Sequence, residues 1–148
     1  MLIVADSSAL VALATFHALP FLTQLYVDVK VPQSVYDEVT VSDKPQAELL
    51  AEFLNGRVAD IDKNRFVVAA SGLGQGEIEA MVLYKTLSAD HLLIDDRRAR
   101  SIAEANDIHC IGALGVLLLA RQKNYIDHIT PYIQALQGSS LSITAKIY

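Results

Sequence analysis

Aliphatic runs and helically spaced apolar positions alternate along this chain, and the alternation predicts its elements in order. Leu2-Ile3-Val4-Ala5 is a continuous aliphatic run of strand length, the pattern of a strand buried on both faces. Ser7 or Ser8 can cap a helix through about Phe16, and Pro20 suits the first turn of another through Leu25. Val27 to Val31 reads as a second strand closed by Pro32, and Ser34 then starts a helix containing Val35, Tyr36, Glu38 and Val39. Asp43-Lys44-Pro45 separates this from a helix with Ala47, Leu50 and Leu54 on one face, ended by Asn55-Gly56. Residues 57–70 are ambiguous: either Arg57 to Ile61 or Phe66 to Ala69 supplies a strand, at an edge of the sheet.

The second half is clearer. Gly72-Leu73-Gly74-Gln75-Gly76 is a loop before a helix from Glu77 to about Leu87. Leu92 to Asp95 is a strand, Arg97 to Asn106 a helix, and Ile108 to Ile111 another strand. Gly112 to Lys123 and Thr130 to Gln137 read as helices, with Pro131 opening the second, and Leu141 to Tyr148 alternates only weakly. Strands and helices in alternation imply a parallel α/β sheet of four to five strands covered on both faces.

Composition narrows the class. At 148 residues the chain is expected to form one domain, 1–148, with no repeat, linker or low-complexity tract. Hydrophobic residues make up 52% and charged residues 20%, which argues against disorder. The apolar stretch Leu114 to Ala120 is too short to span a bilayer, so no membrane partner is expected. No basic leader precedes the first apolar run and Asp6 interrupts it, so no signal peptide is expected. The single Cys110 excludes an internal disulfide and fits a reducing cytoplasm. A net charge of −5 is a poor match to nucleic-acid binding by bulk attraction, although Arg97, Arg98 and Arg100 cluster directly after an Asp pair.

The candidate chemistry lies just past the apolar runs. In an open parallel sheet, ligands bind outside the carboxyl ends of the strands. Asp6 follows the first strand and Asp95-Asp96 a later one, so carboxylates from distant parts of the chain can converge there. Converging carboxylates repel unless a cation neutralises them, and a hard cation such as Mg²⁺ prefers oxygen ligands. For Asp6, with Ser7 and Ser8 behind it, the competing role is a helix N-cap. Capping accounts for one member of the Asp95-Asp96 pair but not both, and Asp96 is the favoured site member. Glu77 and Glu79 lie in the first turn of a helix, where carboxylates also offset the helix dipole. Two apart, they do not share a face, so only one serves a site. Glu38, taken alone, is a solvated helix residue.

Other signals are weaker. The Gly72 to Gly76 stretch lacks the Gly-Lys-Ser/Thr ending of a phosphate-binding loop and reads as a flexible turn. His17, His91, His109 and His128 have no zinc-ligand spacing, and no G-x-S-x-G elbow supports a serine nucleophile. Cys110, inside an apolar strand, reads as a buried thiol.

Four segments in order resemble the PIN domain, the nuclease fold of VapC-type toxins. They are Val4-Ala5-Asp6-Ser7-Ser8-Ala9-Leu10, Val31-Pro32-Gln33-Ser34-Val35-Tyr36-Asp37-Glu38-Val39, Gly76-Glu77-Ile78-Glu79-Ala80 and Leu93-Ile94-Asp95-Asp96-Arg97-Arg98-Ala99-Arg100. Ile111-Gly112-Ala113-Leu114-Gly115-Val116-Leu117-Leu118 extends the likeness to the branch labelled DUF3368, over nearly the full chain.

The resemblance implies a three-layer α/β/α fold and a quartet of acids, Asp6, Glu38, Glu79 and Asp96, serving an Mg²⁺ or Mn²⁺ ion. Glu77 is the rival for the third place. Asp6, Glu79 and Asp96, with Glu77, stand as metal ligands, Ser7 and Asp95 as secondary residues, and Arg97, Arg98 and Arg100 as contacts for substrate phosphates. The activity implied is RNA hydrolysis by a cytoplasmic toxin that forms homodimers and is silenced by a small antitoxin. One departure stands out: PIN nucleases often carry Thr or Ser two residues before the final Asp, where this chain has Ile94. Ile94 and the acidic balance favour a second reading, a binding or regulatory module that keeps the fold without catalysis. A doubly wound phosphoacceptor domain ranks last, because it needs an acidic pair after the first strand and a late lysine, and neither is apparent.

Overall fold

The computed structural model describes residues 1–67, 70–126 and 131. Four parallel strands form one sheet: β1 (Leu2–Ala5), β2 (Asp28–Lys30), β3 (His91–Leu93) and β4 (Cys110–Ile111), in the order β2-β1-β3-β4. Around them run α1 (Ser7–Thr15), α2 (Leu19–Leu25), α3 (Gln33–Val39), α4 (Ala47–Phe53), α5 (Gln75–Leu87), α6 (Arg97–Ala105) and α7 (Ala113–Gln122). The chain leaves β1 toward β2 on one side and leaves β3 toward β4 on the other. The strand order therefore reverses between β1 and β3, and the crevice outside their carboxyl ends is where such sheets bind ligands.

Local chemistry explains the elements. In β1, Ile3, Val4 and Ala5 have no exposed surface, as a strand covered on both faces requires. The run stops at Asp6, whose extended backbone (φ −96°, ψ 163°) starts α1. On α1 the small residues Ala9, Ala12 and Ala14 are buried and allow close approach by α3, α4 and α7. α5 crosses β1 and β3, while α2 packs on β2 and α6 on β4. Leu10, Leu13, Leu22, Leu83, Leu92, Leu93 and Ile94 are fully enclosed. Burying each such side chain contributes about 1.5–3 kcal/mol before entropy is counted. Together these form the α/β sandwich expected of the sequence.

β1 matches its aliphatic run, whereas β2, β3 and β4 are shorter than the strands expected from the sequence. Of the two strands proposed for 57–70, the described residues hold one isolated parallel bridge, Val31 with Val58. It lengthens the β2 edge by two hydrogen bonds, Val31 N–H to Arg57 O and Ala59 N–H to Val31 O. Phe66 and Val67 belong to no strand, and Val68 and Ala69 are outside the described residues. So, Pro131 apart, are the helix expected over Thr130 to Gln137 and the tail Leu141 to Tyr148. Among the described residues no single helix is long and apolar enough to cross a membrane.

Candidate metal centre

The first acid sits at the reversal point. Ala5 pairs with Leu93, and the N–H of Asp6 donates to the Leu93 carbonyl at 2.9 Å. Asp6 is only 3% exposed, and although it stands at the N-cap of α1, its side chain makes no cap bond. Burial raises its pKa to about 7; the Ser7 backbone N–H works against this, and the charges of Glu77, Glu38 and Asp96 add to the rise. Three acids from three other segments therefore act on one buried carboxylate.

Glu77 reaches the crevice from the first turn of α5. Its Oε1 accepts the Gly74 N–H at 3.0 Å, the half of a capping box that remains when the N-cap residue is glycine. The start of α5 lies close to α1 and α3: a Cβ at Gly76 would stand 3.5 Å from Val35 Cγ2 and 3.9 Å from Ser7 Oγ. Glu79 is occupied elsewhere, accepting from Gln75 Nε2 at 2.9 Å, and it is not among the charges that act on Asp6. Glu38, on α3, is exposed, and its side chain makes no hydrogen bond among the described residues. Ser7, 8% exposed, buries a hydroxyl with no partner among the described residues; Ser34 Oγ is a second, which the sequence reading passed over.

The Asp pair divides differently from the sequence expectation that capping accounts for only one of them. Asp96 caps α6, its Oδ2 accepting the Ala99 N–H at 2.8 Å, and it also acts on Asp6. Asp95 serves another helix: its Oδ1 accepts the Ala113 N–H of α7 at 2.9 Å. Desolvation raises the Asp95 pKa, against the Ala113 N–H and Arg100, although the residue as a whole is exposed. The Ala113 hydrogen bond fastens α7 to the segment that follows β3. Gly112 makes room for it, since a Cβ there would lie 2.6 Å from Asp95 Oδ1. The one signal for this contact in the sequence was the Ile111-Gly112 step, read only as family likeness.

The arginines separate as well. Arg97 is exposed with no hydrogen bond or ion pair among the described residues. Arg98 donates Nη2 to the Ser71 carbonyl at 2.8 Å, and Arg100 Nε lies 3.7 Å from Glu104 Oε1. Ile94 has no exposed surface and donates its N–H to Ile111 O at 3.0 Å, so the position is built into the core.

The donor chemistry of the crevice suits a hard divalent cation. Asp6, Glu38, Glu77 and Asp96 offer only oxygens, and the unpartnered Ser7 hydroxyl adds another, the set that Mg²⁺ or Mn²⁺ prefers. A buried carboxylate facing three like charges is also the arrangement a cation would relieve. The fit is one of ligand type: among the described residues no three His, Cys, Asp or Glu side chains are gathered at ligating distance.

A family model described as DUF3368, a PIN domain, matches residues 2–148. No curated protein matches the chain.

Proposed function

The chain belongs to the PIN domain family, a nuclease fold, and on that premise we propose that it is a metal-dependent endoribonuclease. One observation carries the reading: Asp6 is buried at the sheet reversal with Glu77, Glu38 and Asp96 acting on it. Apart from the Ser7 backbone N–H, the groups acting on this buried carboxylate are like charges, which costs stability and suits a site that takes up a cation.

Asp6, Glu77 and Asp96 would hold Mg²⁺ or Mn²⁺, with Glu38 completing the acid set and Glu79 the alternative to Glu77. The cation would supply Lewis-acid activation of water and charge stabilisation at the scissile phosphate. The chain's own contribution is arrangement. β1 leads directly into Asp6, the chain leaving β3 reaches Asp96 at the start of α6, and α5 carries Glu77 in its first turn. Arg97, with no hydrogen bond or ion pair among the described residues, would be available to an RNA phosphate. We extend the reading to the toxin half of a toxin–antitoxin pair, a homodimer silenced by a small antitoxin, on family likeness alone.

The second reading, a PIN-like module without catalysis, is favoured by Ile94, whose buried side chain offers no hydroxyl to orient water. Incubating a tRNA and structured-RNA panel with Mg²⁺ or Mn²⁺, beside Asp6→Ala and an EDTA control, separates the two. Metal-dependent products missing from the Asp6→Ala lane support the nuclease. Folded protein that yields no products, or products indifferent to both controls, supports the binding module.

A further inference from the structure

Two helices bring acids to the crevice from consecutive segments of the chain, α5 with Glu77 and α6 from Asp96 onward. At their far ends they are tied by Lys85 Nζ, which donates to Asn106 O at 3.0 Å. At the crevice end, the tie found among the described residues is the Arg98 guanidinium on the Ser71 carbonyl. Ser71 belongs to a tight turn closed by Leu73 N–H to Ala70 O at 3.2 Å, with Gly72 at φ +86°. Two residues later comes Gly74, whose N–H is held by Glu77 Oε1.

Gly72 is favoured by its backbone, and a side chain there would displace the Arg98 guanidinium. Its positive φ disfavours an L side chain, and a Cβ there would lie 2.5 Å from Arg98 Nη2 and 2.9 Å from Nη1. The guanidinium thus occupies the space the missing side chain leaves, and it donates to the neighbouring carbonyl. A fixed, planar donor group suits this better than an ammonium.

We propose that Arg98 is a positioning residue, which holds the Ser71–Gly72 turn against α6 and thereby sets Glu77 opposite Asp96 and Asp6. The inference rests on the acid-site reading above for what the positioning serves. It differs from the phosphate-contact role that the Arg97-Arg98 sequence suggests.

The test compares wild type with Arg98→Ala, Arg98→Lys, Gly72→Ala and the control Arg97→Ala. Amide exchange at Gly74 and Ile78 is followed in metal-free protein, Mn²⁺ affinity by calorimetry, and global stability by urea titration. Arg98→Ala and Gly72→Ala are expected to speed exchange at these amides beyond any change in global stability. They should weaken Mn²⁺ binding by roughly tenfold, the scale of lost outer-shell support, with partial rescue in Arg98→Lys and no effect from Arg97→Ala. Unchanged exchange in Arg98→Ala overturns the proposal, as does an equal loss of affinity in Arg97→Ala, which would mean simple charge. Wild type that binds no Mn²⁺, or binds it as well after Asp6→Asn, sinks the metal-site reading. The exchange data then still decide whether Arg98 holds the turn.

Discussion

The Asp6 N–H donates to the Leu93 carbonyl at 2.9 Å, so the first acid of the crevice is bonded to the strand that leads into Asp95 and Asp96. A backbone bond between adjacent parallel strands is among the most rigid links a fold offers. That bond fixes the Asp6 backbone at the junction of β1 and β3, with its side chain buried beside Glu77, Glu38 and Asp96.

Replacing Asp6 by Asn should abolish activity while stabilising the metal-free protein. The amide is nearly isosteric and removes a buried charge facing three acids. We expect a rise in thermal midpoint near pH 7.5 in EDTA, and loss of metal-dependent cleavage on the order of a hundredfold or more. A lower midpoint would mean that the carboxylate is structural.

The same residue sets a pH dependence. Folded Asp6 holds its proton up to about pH 7, against 3.8 for the unperturbed group. Between those values the unfolded chain binds fewer protons than the folded one, so stability falls as pH rises. The contribution is fully present below about pH 4 and lost by about pH 7, amounting to roughly 4 kcal/mol at one pKa unit per 1.36 kcal/mol. Urea titrations in EDTA across this window, with Asp6→Asn subtracted, measure it. A flat difference would contradict it, and added Mn²⁺ should restore stability at the upper end.

Glu77→Gln and Glu79→Gln should part company. Glu77 acts on Asp6, whereas Glu79 is bonded to Gln75. Calorimetry should find Mn²⁺ affinity reduced by at least about tenfold, or 1.4 kcal/mol, in Glu77→Gln and nearly unchanged in Glu79→Gln. The opposite ranking would restore Glu79 as the third acid.

At the other end of the sheet, the Tyr26 hydroxyl lies 2.8 Å from His91 Nδ1, the rings meeting edge to face at 88°. Burial pushes the Tyr26 pKa up to about 12, so the phenol stays protonated. Tyr26→Phe keeps the ring contact and loses one hydrogen bond, costing about 1 kcal/mol. Cleavage activity should be unchanged, because strands separate this pair from the crevice. A large activity loss would place the crevice incorrectly.

Gly112→Ala should destabilise by about 1–3 kcal/mol, since its Cβ would displace the Asp95 carboxylate from the α7 N-terminus. Thermal unfolding reads the loss. Asp95→Asn, which still accepts from Ala113, should cost less.

The helices and strands were largely legible in the sequence because apolar period and turn residues act locally. Leu2 to Ala5 and Arg97 to Asn106 announce themselves by neighbours within a few positions. The position of Asp6 directly after β1, and of Asp95-Asp96 shortly after β3, was legible too, since residues that follow a buried strand lie toward the sheet's carboxyl edge in a parallel α/β fold. Residues 57–67 were not, because their one strand-like contact among the described residues, Val58 with Val31, depends on where a distant edge lies. What only the tertiary structure decided is which neighbours each polar group meets. Glu77 and Glu79 are both first-turn carboxylates in sequence; in the fold the charge of Glu77 acts on Asp6 while its Oε1 accepts the Gly74 N–H, and Glu79 accepts from Gln75. Asp95 fastens α7 and Arg98 fastens a turn because folding brings Ala113 and Ser71 beside them across 18 and 27 residues. Periodicity encodes a face and a length, whereas a hydrogen-bond partner is a three-dimensional coincidence that no local pattern records.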